Sequence, residues 1–138
     1  MIQRKDVELI VDIGCGDGNF LKEINKKFKN TPIVASDFSS LALGEAKENL
    51  KDLKCKKKFF TCDAFDVEKW SIQVNKFKIK KGKKILISLW FILHEISKGN
   101  PNNIIIFFKK IKKYIPNAQV LIGEIIKNSD VIYSKMKN

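Results

Sequence analysis

Short apolar runs alternate with helical patterns along the whole 138-residue chain, which predicts an α/β fold. The expected architecture is a three-layer α-β-α sandwich on a mostly parallel sheet. Two further observations sharpen that expectation. The first apolar run, Leu9-Ile10-Val11-Asp12-Ile13, breaks at once into the turn Gly14-Cys15-Gly16-Asp17-Gly18, and a helical pattern starts at Asn19. An aspartate also marks the end of each of the first three expected strands: Asp12, Asp37 and Asp63. A strand, a tight glycine turn and a helix start, in that order, make a cradle for a nucleotide-type ligand. Glycine permits the turn and a close approach to the backbone, and a helix start offers N–H groups without intrahelical partners.

The elements follow in order. A first strand over residues 8–13 leads to a helix over about 18–29, with Phe20, Leu21, Ile24 and Phe28 at helical spacing and lysines opposite. Asn30-Thr31-Pro32 ends that helix, because proline cannot continue it. A second strand over 33–36 delivers Asp37, and the helix expected over about 40–52 would bury Leu41, Ala42, Ala46 and Leu50. A third strand over 58–62 ends in Asp63-Ala64-Phe65. Residues 66–83 keep no clean period, and a helix is expected near their start. The fourth strand, 85–90, is apolar except for Ser88, as at the centre of a parallel sheet. Asn100 and Pro101 then open a helix with a stripe of Ile104, Ile105, Phe107, Phe108, Ile111 and Ile115, stopped by Pro116. A fifth strand is expected over 119–125.

Composition narrows the function classes. The length suits one domain, residues 1–138. The net charge of +12 invites a nucleic-acid reading, but Arg4 is the only arginine. Arginine is the side chain suited to bidentate recognition of phosphate and guanine, so a solvated lysine surface is expected instead. The longest apolar run, 85–93, falls far short of the roughly 18 residues that span a membrane. The cysteines, Cys15, Cys55 and Cys62, lack C-x-x-C spacing, so neither a metal site nor a disulfide framework is indicated. A soluble, reduced, cytoplasmic protein is expected.

Glycine spacing separates two kinds of cradle. The dinucleotide fingerprint is G-x-G-x-x-G. Here the glycines stand at 14, 16 and 18, with Asp12 two residues ahead of the first. This arrangement resembles motif I of the class I S-adenosylmethionine-dependent methyltransferases, whose domain is Rossmann-like. The resemblance implies S-adenosyl-L-methionine as cofactor, with Asp12 helping to hold its methionine end and Gly14, Gly16 and Gly18 packed against it. That end carries an ammonium and no pyrophosphate, which suits a carboxylate at the turn. Asp37, 19 residues after Gly18, falls where the family takes both ribose hydroxyls. Asp63 and Ala64 match the acid and small residue that contact the adenine. Cys15, Phe38 and Leu89 complete the cofactor-binding positions.

The same resemblance places the acceptor at the end of the fourth strand, where His94 and Glu95 resemble a pair found in small-molecule methyltransferases. His94, the only histidine, suits a general base. No Asn/Asp-Pro-Pro-aromatic motif and no Pro-Cys pair follows that strand, which favours a small-molecule acceptor at oxygen, nitrogen or carbon. The full family domain has seven strands, the last two an antiparallel hairpin. This chain is expected to supply five, in the order 3-2-1-4-5, without those last two. The fifth strand would then be an open edge suited to a homodimer or a completing partner chain. Two other functions stay open: a cofactor-binding module without turnover of its own, and a nicotinamide-dependent oxidoreductase.

Overall fold

The computed structural model describes residues 4–90, 92–126 and 130–137. A six-stranded sheet runs in the order β3-β2-β1-β4-β5-β6. Its strands are β1 (Val7–Ile13), β2 (Ile33–Asp37), β3 (Lys57–Thr61), β4 (Lys84–Trp90), β5 (Ala118–Ile126) and β6 (Asp130–Lys137). Strands β1 to β5 are mutually parallel, in the expected order 3-2-1-4-5. One expectation is corrected at the far side. β6 pairs antiparallel along β5 from Gln119–Lys137 to Ile126–Asp130, so β5 is not an open edge. The apolar-polar alternation of the last residues is too short to announce a strand by itself, but the neighbouring edge offers a full ladder of backbone partners.

The helices are α1 (Asn19–Asn25), α2 (Ser40–Asn49), α3 (Val67–Val74), α4 (Leu93–Ser97) and α5 (Asn102–Tyr114). Alternation along the strands divides the core in two. Leu9, Val11 and Ile13 of β1 face Trp70, Phe107 and Ile111 of the α3–α5 layer, whereas Ile10 packs with Leu21, Leu43 and Ala46 of the α1–α2 layer. A strand covered on both faces needs apolar residues at successive positions, and Leu9-Ile10-Val11 supplies them.

Helix details differ from the periodic reading. α1 stops at Asn25 rather than near 29. Asn25 is buried and donates to Lys29 O and Cys55 Sγ, and the chain beyond it tightens into i→i−3 turns. In α2, Ser39 Oγ accepts the Ala42 N–H at 3.1 Å and caps the helix start. Leu43, Ala46 and Leu50, spaced i, i+3, i+7, pack on Ile33 and Ala35 of the sheet, while Leu41 is 75% exposed. Ile105 likewise lies 54% exposed, outside the buried α5 stripe of Phe107 and Ile111, which Ile115 continues just past the helix end. The Asn100 carboxamide oxygen accepts the Asn102 N–H at 3.0 Å, leading the chain into α5.

Candidate functional site

β1 pairs with β2 on one side and β4 on the other, so the sequence order of the sheet reverses at β1. Parallel α/β sheets open a crevice beyond the strand ends at such a point. Here a cleft of about 390 Å³ opens there, walled by Gly14, Asp37, Phe38, Asp63, Ala64 and Glu95. Six of the expected site residues are thus brought together from four segments of the chain.

The glycine turn has an unexpected electrical character. Ser36 O accepts the N–H groups of both Gly14 and Cys15, at 2.8 and 2.9 Å. The Asp37 carboxylate accepts Gly16 N–H at 2.9 Å, Cys15 O accepts Gly18 N–H, and the Asp17 carboxylate accepts Asn19 N–H at 3.0 Å. The expectation of free N–H groups around the start of α1 is therefore corrected in part: those of residues 14, 15, 16, 18 and 19 donate within the protein. An anion cradle is absent from these positions, and Asp12, Asp17 and Asp37 surround the turn instead. Such a site favours positive charge.

Steric constraints agree. Gly14 has φ +77°, and a Cβ there would sit 2.7 Å from Ile92 Cγ2. Gly18, at φ +83°, would bring a Cβ within 3.1 Å of Leu50, so its role is close packing of the turn onto α2 rather than a place on the cleft wall.

Asp37 is the hinge of the site. Besides Gly16 N–H, it accepts Ser39 N–H at 2.9 Å, which holds both carboxylate oxygens in place while the residue still lines the cleft. Helix capping falls to Ser39, not to Asp37. Phe38 beside it is 81% exposed, a large aromatic face standing open at the cleft. On the opposite wall Asp63 accepts Phe65 N–H at 2.9 Å, and Ala64 O accepts Trp70 Nε1–H at 2.9 Å. The fully buried Trp70 thereby anchors the loop that presents Asp63 and Ala64.

Other expected residues sit deeper. Asp12 is 1% exposed beneath the turn, where its carboxylate accepts the Ser88 hydroxyl at 2.9 Å. Burial pushes its carboxyl up to about 7, the Ser88 bond opposes that rise, and the Asp37 charge adds to it. Burial and the nearby Asp12 and Asp37 charges push the Cys15 thiol up to about 12, so it stays neutral. Leu89 is buried in the α3–α5 side of the core rather than on the cleft wall. Glu95 is exposed on α4; His94 precedes it there, and the His94 side chain lies outside the described residues.

Sequence reading missed Ile92, Ile96 and Lys98 as wall residues. The i, i+4 spacing of the two isoleucines was a usable signal. Lys98 had none, because it enters the wall through a left-handed backbone turn at φ 48°.

Comparisons with known proteins agree with this geometry. Carboxy-S-adenosyl-L-methionine synthase of Helicobacter pylori is 31% identical over 129 residues, covering 92% of this chain and 47% of that protein. The chain thus spans about half the length of that relative. An S-adenosylmethionine-dependent methyltransferase structure from Clostridium acetobutylicum superposes with a TM-score of 0.58 at 18% identity, covering 88% of this chain and 44% of the other. Phosphoethanolamine N-methyltransferase 1 of Haemonchus contortus, solved with phosphoethanolamine and S-adenosylhomocysteine, gives 0.60 at 14% identity, covering 89% of this chain and 23% of the other. These structures share the fold. The pattern of the methyltransferase domain family matches residues 10–80, just over half of the chain, and on that match the chain belongs to this family.

Proposed function

We propose that residues 1–138 act as one domain that binds S-adenosylmethionine in the cleft, and that the protein transfers its methyl group to a small-molecule acceptor. The observation that carries this reading is the turn itself. Most of its N–H groups are spent internally and its surroundings are anionic, which suits a ligand with an ammonium and a sulfonium and disfavours the pyrophosphate of a nicotinamide dinucleotide. The steric surroundings support the same reading at Gly16, where a Cβ would meet no atom within 4 Å, whereas at Gly14 that space is already taken by Ile92.

In this reading Asp37 accepts the ribose hydroxyls. Asp63 accepts the adenine amine, the Ala64 N–H donates to the ring, and Phe38 covers it. The backbone at Gly14, Cys15 and Gly16 shapes the floor, with Gly18 and Leu89 supporting it from behind. Asp12 takes the ammonium end. The bound sulfonium supplies an electrophilic methyl group, so the protein's share is alignment and exclusion of water. Glu95, on the cleft wall, contacts the acceptor, and His94, one position earlier in α4, takes its proton. Among the described residues no helix is long and apolar enough to cross a membrane. A cytoplasmic setting suits the free cysteines, and the lysine-rich surface is read as solvated.

The test is calorimetric titration with S-adenosylhomocysteine, with NADH and the Asp37→Ala variant as controls. Micromolar binding, lost in the variant and absent for NADH, supports the reading; binding of NADH in its place overturns it. Similarity to carboxy-S-adenosyl-L-methionine synthase favours a second reading, in which the cofactor itself is the molecule modified. Mass spectrometry of a turnover mixture separates the two, because one yields a methylated acceptor and the other a carboxylated cofactor. Binding without either product would define a cofactor-binding module or a subunit that needs a partner.

A further inference from the structure

We propose that Ser88 is a positioning residue for cofactor capture: its buried hydroxyl aims the Asp12 carboxylate so that the free oxygen receives the ammonium of the ligand's amino-acid end. This rests on the cofactor reading above and assigns a role to a residue outside the cleft wall.

The geometry supports it in three steps. Ser88 is fully buried in a strand that is otherwise apolar through this stretch, and an unsatisfied hydroxyl there would be costly. Register solves the problem: Ser88 lies directly beside Asp12 across the β1–β4 ladder, and its Oγ reaches Asp12 Oδ1 at 2.9 Å and Val11 O at 3.3 Å. The bond to the carboxylate is the shorter and, when Asp12 is ionised, the charge-assisted one. Oδ2 of Asp12 accepts no hydrogen bond and the carboxylate has no cationic partner among the described residues. Asp12 lies two residues before Gly14, which lines the cleft.

Among the described residues, the titratable groups around Asp12 are all acids. Asp37 faces it from the end of β2, the Cys15 thiol lies in the turn with Asp17 beyond, and β4 contributes Ser88 alone at this level. A nearly buried carboxylate with one donor, acidic neighbours and no counterion is poised for an arriving cation. The Ser88 bond favours the ionised form, opposing burial and the Asp37 charge.

The experiment compares S-adenosylhomocysteine with 5′-methylthioadenosine, which keeps the nucleoside and lacks the ammonium, across pH 5.5–8. For Ser88→Ala, affinity for S-adenosylhomocysteine should fall about fivefold at pH 7 and approach about tenfold at lower pH, its midpoint on the pH axis moving up by about 1. Affinity for methylthioadenosine should stay within about twofold, which also reports an intact fold. Ser88→Thr, retaining the hydroxyl, should restore the pH profile. In an Asp12→Asn background, adding Ser88→Ala should change nothing further. Equal losses for both ligands, an unshifted pH profile, or an additional loss in the Asp12→Asn background would overturn the role. Failure of the wild-type protein to bind either ligand at any pH would instead sink the cofactor reading. Carbon-detected NMR titration of the Asp12 carboxyl then still decides whether Ser88 controls its ionisation: a midpoint unchanged by Ser88→Ala refutes the inference.

Discussion

Replacing Asp12 with asparagine should stabilise the ligand-free protein while removing its hold on the ligand's ammonium. Asp12 is 1% exposed, and its carboxyl is pushed from 3.8 to about 7, chiefly by burial. A carboxyl whose folded pKa lies above its unfolded one binds its proton more tightly when folded. Its contribution to stability is therefore fully present below about pH 4 and is lost as pH rises through about 7. At about 1.4 kcal/mol per pH unit, this raised value costs at most about 4 kcal/mol of stability above pH 7 and about 2 kcal/mol near pH 5, relative to acid pH. Asparagine keeps an acceptor for Ser88 and the shape of the side chain, but introduces a buried amide NH2 worth roughly 1–3 kcal/mol against it. The net expectation is a gain of about 1–3 kcal/mol at pH 8 and little change at pH 5. Urea unfolding of both proteins at the two pH values, followed by the fluorescence of Trp70 and Trp90, measures this directly. A variant less stable than the parent at pH 8, or a difference that does not vary with pH, would refute the claim that Asp12 is a desolvated charge awaiting a partner.

Other substitutions test the remaining supports of the site. Gly14→Ala forces a side chain into a left-handed position and against Ile92, and should cost about 1–2 kcal/mol in thermal unfolding and about tenfold in S-adenosylhomocysteine affinity. Asp37→Ala releases the N–H groups of Gly16 and Ser39, which water can largely replace. Stability should fall by about 1 kcal/mol, whereas calorimetric affinity should fall on the order of 100-fold through the lost charged hydrogen bonds. Trp70→Phe removes the Nε1–H bond to Ala64 O and part of the buried ring; a loss of about 1–3 kcal/mol is expected, with faster amide exchange confined to residues 63–66. Gly123→Ala would place a Cβ 2.1 Å from the Trp90 ring, which also packs on Phe20 with centroids 4.3 Å apart; about 1–3 kcal/mol should be lost, with a changed Trp90 emission.

Much of this was legible in the residues themselves. Leu9-Ile10-Val11 announced a strand buried on both faces, and the 14, 16, 18 glycine spacing with Asp12 ahead distinguished this turn from a dinucleotide one. The recurrence of acids after successive apolar runs pointed to Asp37 and Asp63, and the cleft contains both. These signals are local: burial on two faces requires consecutive apolar residues, a tight turn requires glycine, and a strand end in a parallel sheet faces the crevice.

Other features were decided only when distant segments met. Which face of α2 is covered depends on its packing against β2, so Leu43 went inward with Ala46 and Leu50 where Leu41 was expected. The pairing of β6 with β5 depends on a neighbouring ladder of backbone groups rather than on the pattern of residues 130–137. The character of the turn also depends on partners elsewhere: Ser36 and Asp37, over 20 positions away, absorb N–H groups that the local pattern leaves free. Ser88 and Asp12 are 76 positions apart, and only parallel register places the hydroxyl beside the carboxylate. Periodicity records which face of an element is apolar, whereas hydrogen-bond partners and charge environment belong to pairs of elements. The chain by itself thus determined an α/β cradle with acids at its rim. Only tertiary packing decided that the cradle is anionic, with most of its N–H groups already taken and one buried carboxylate without a counterion among the described residues.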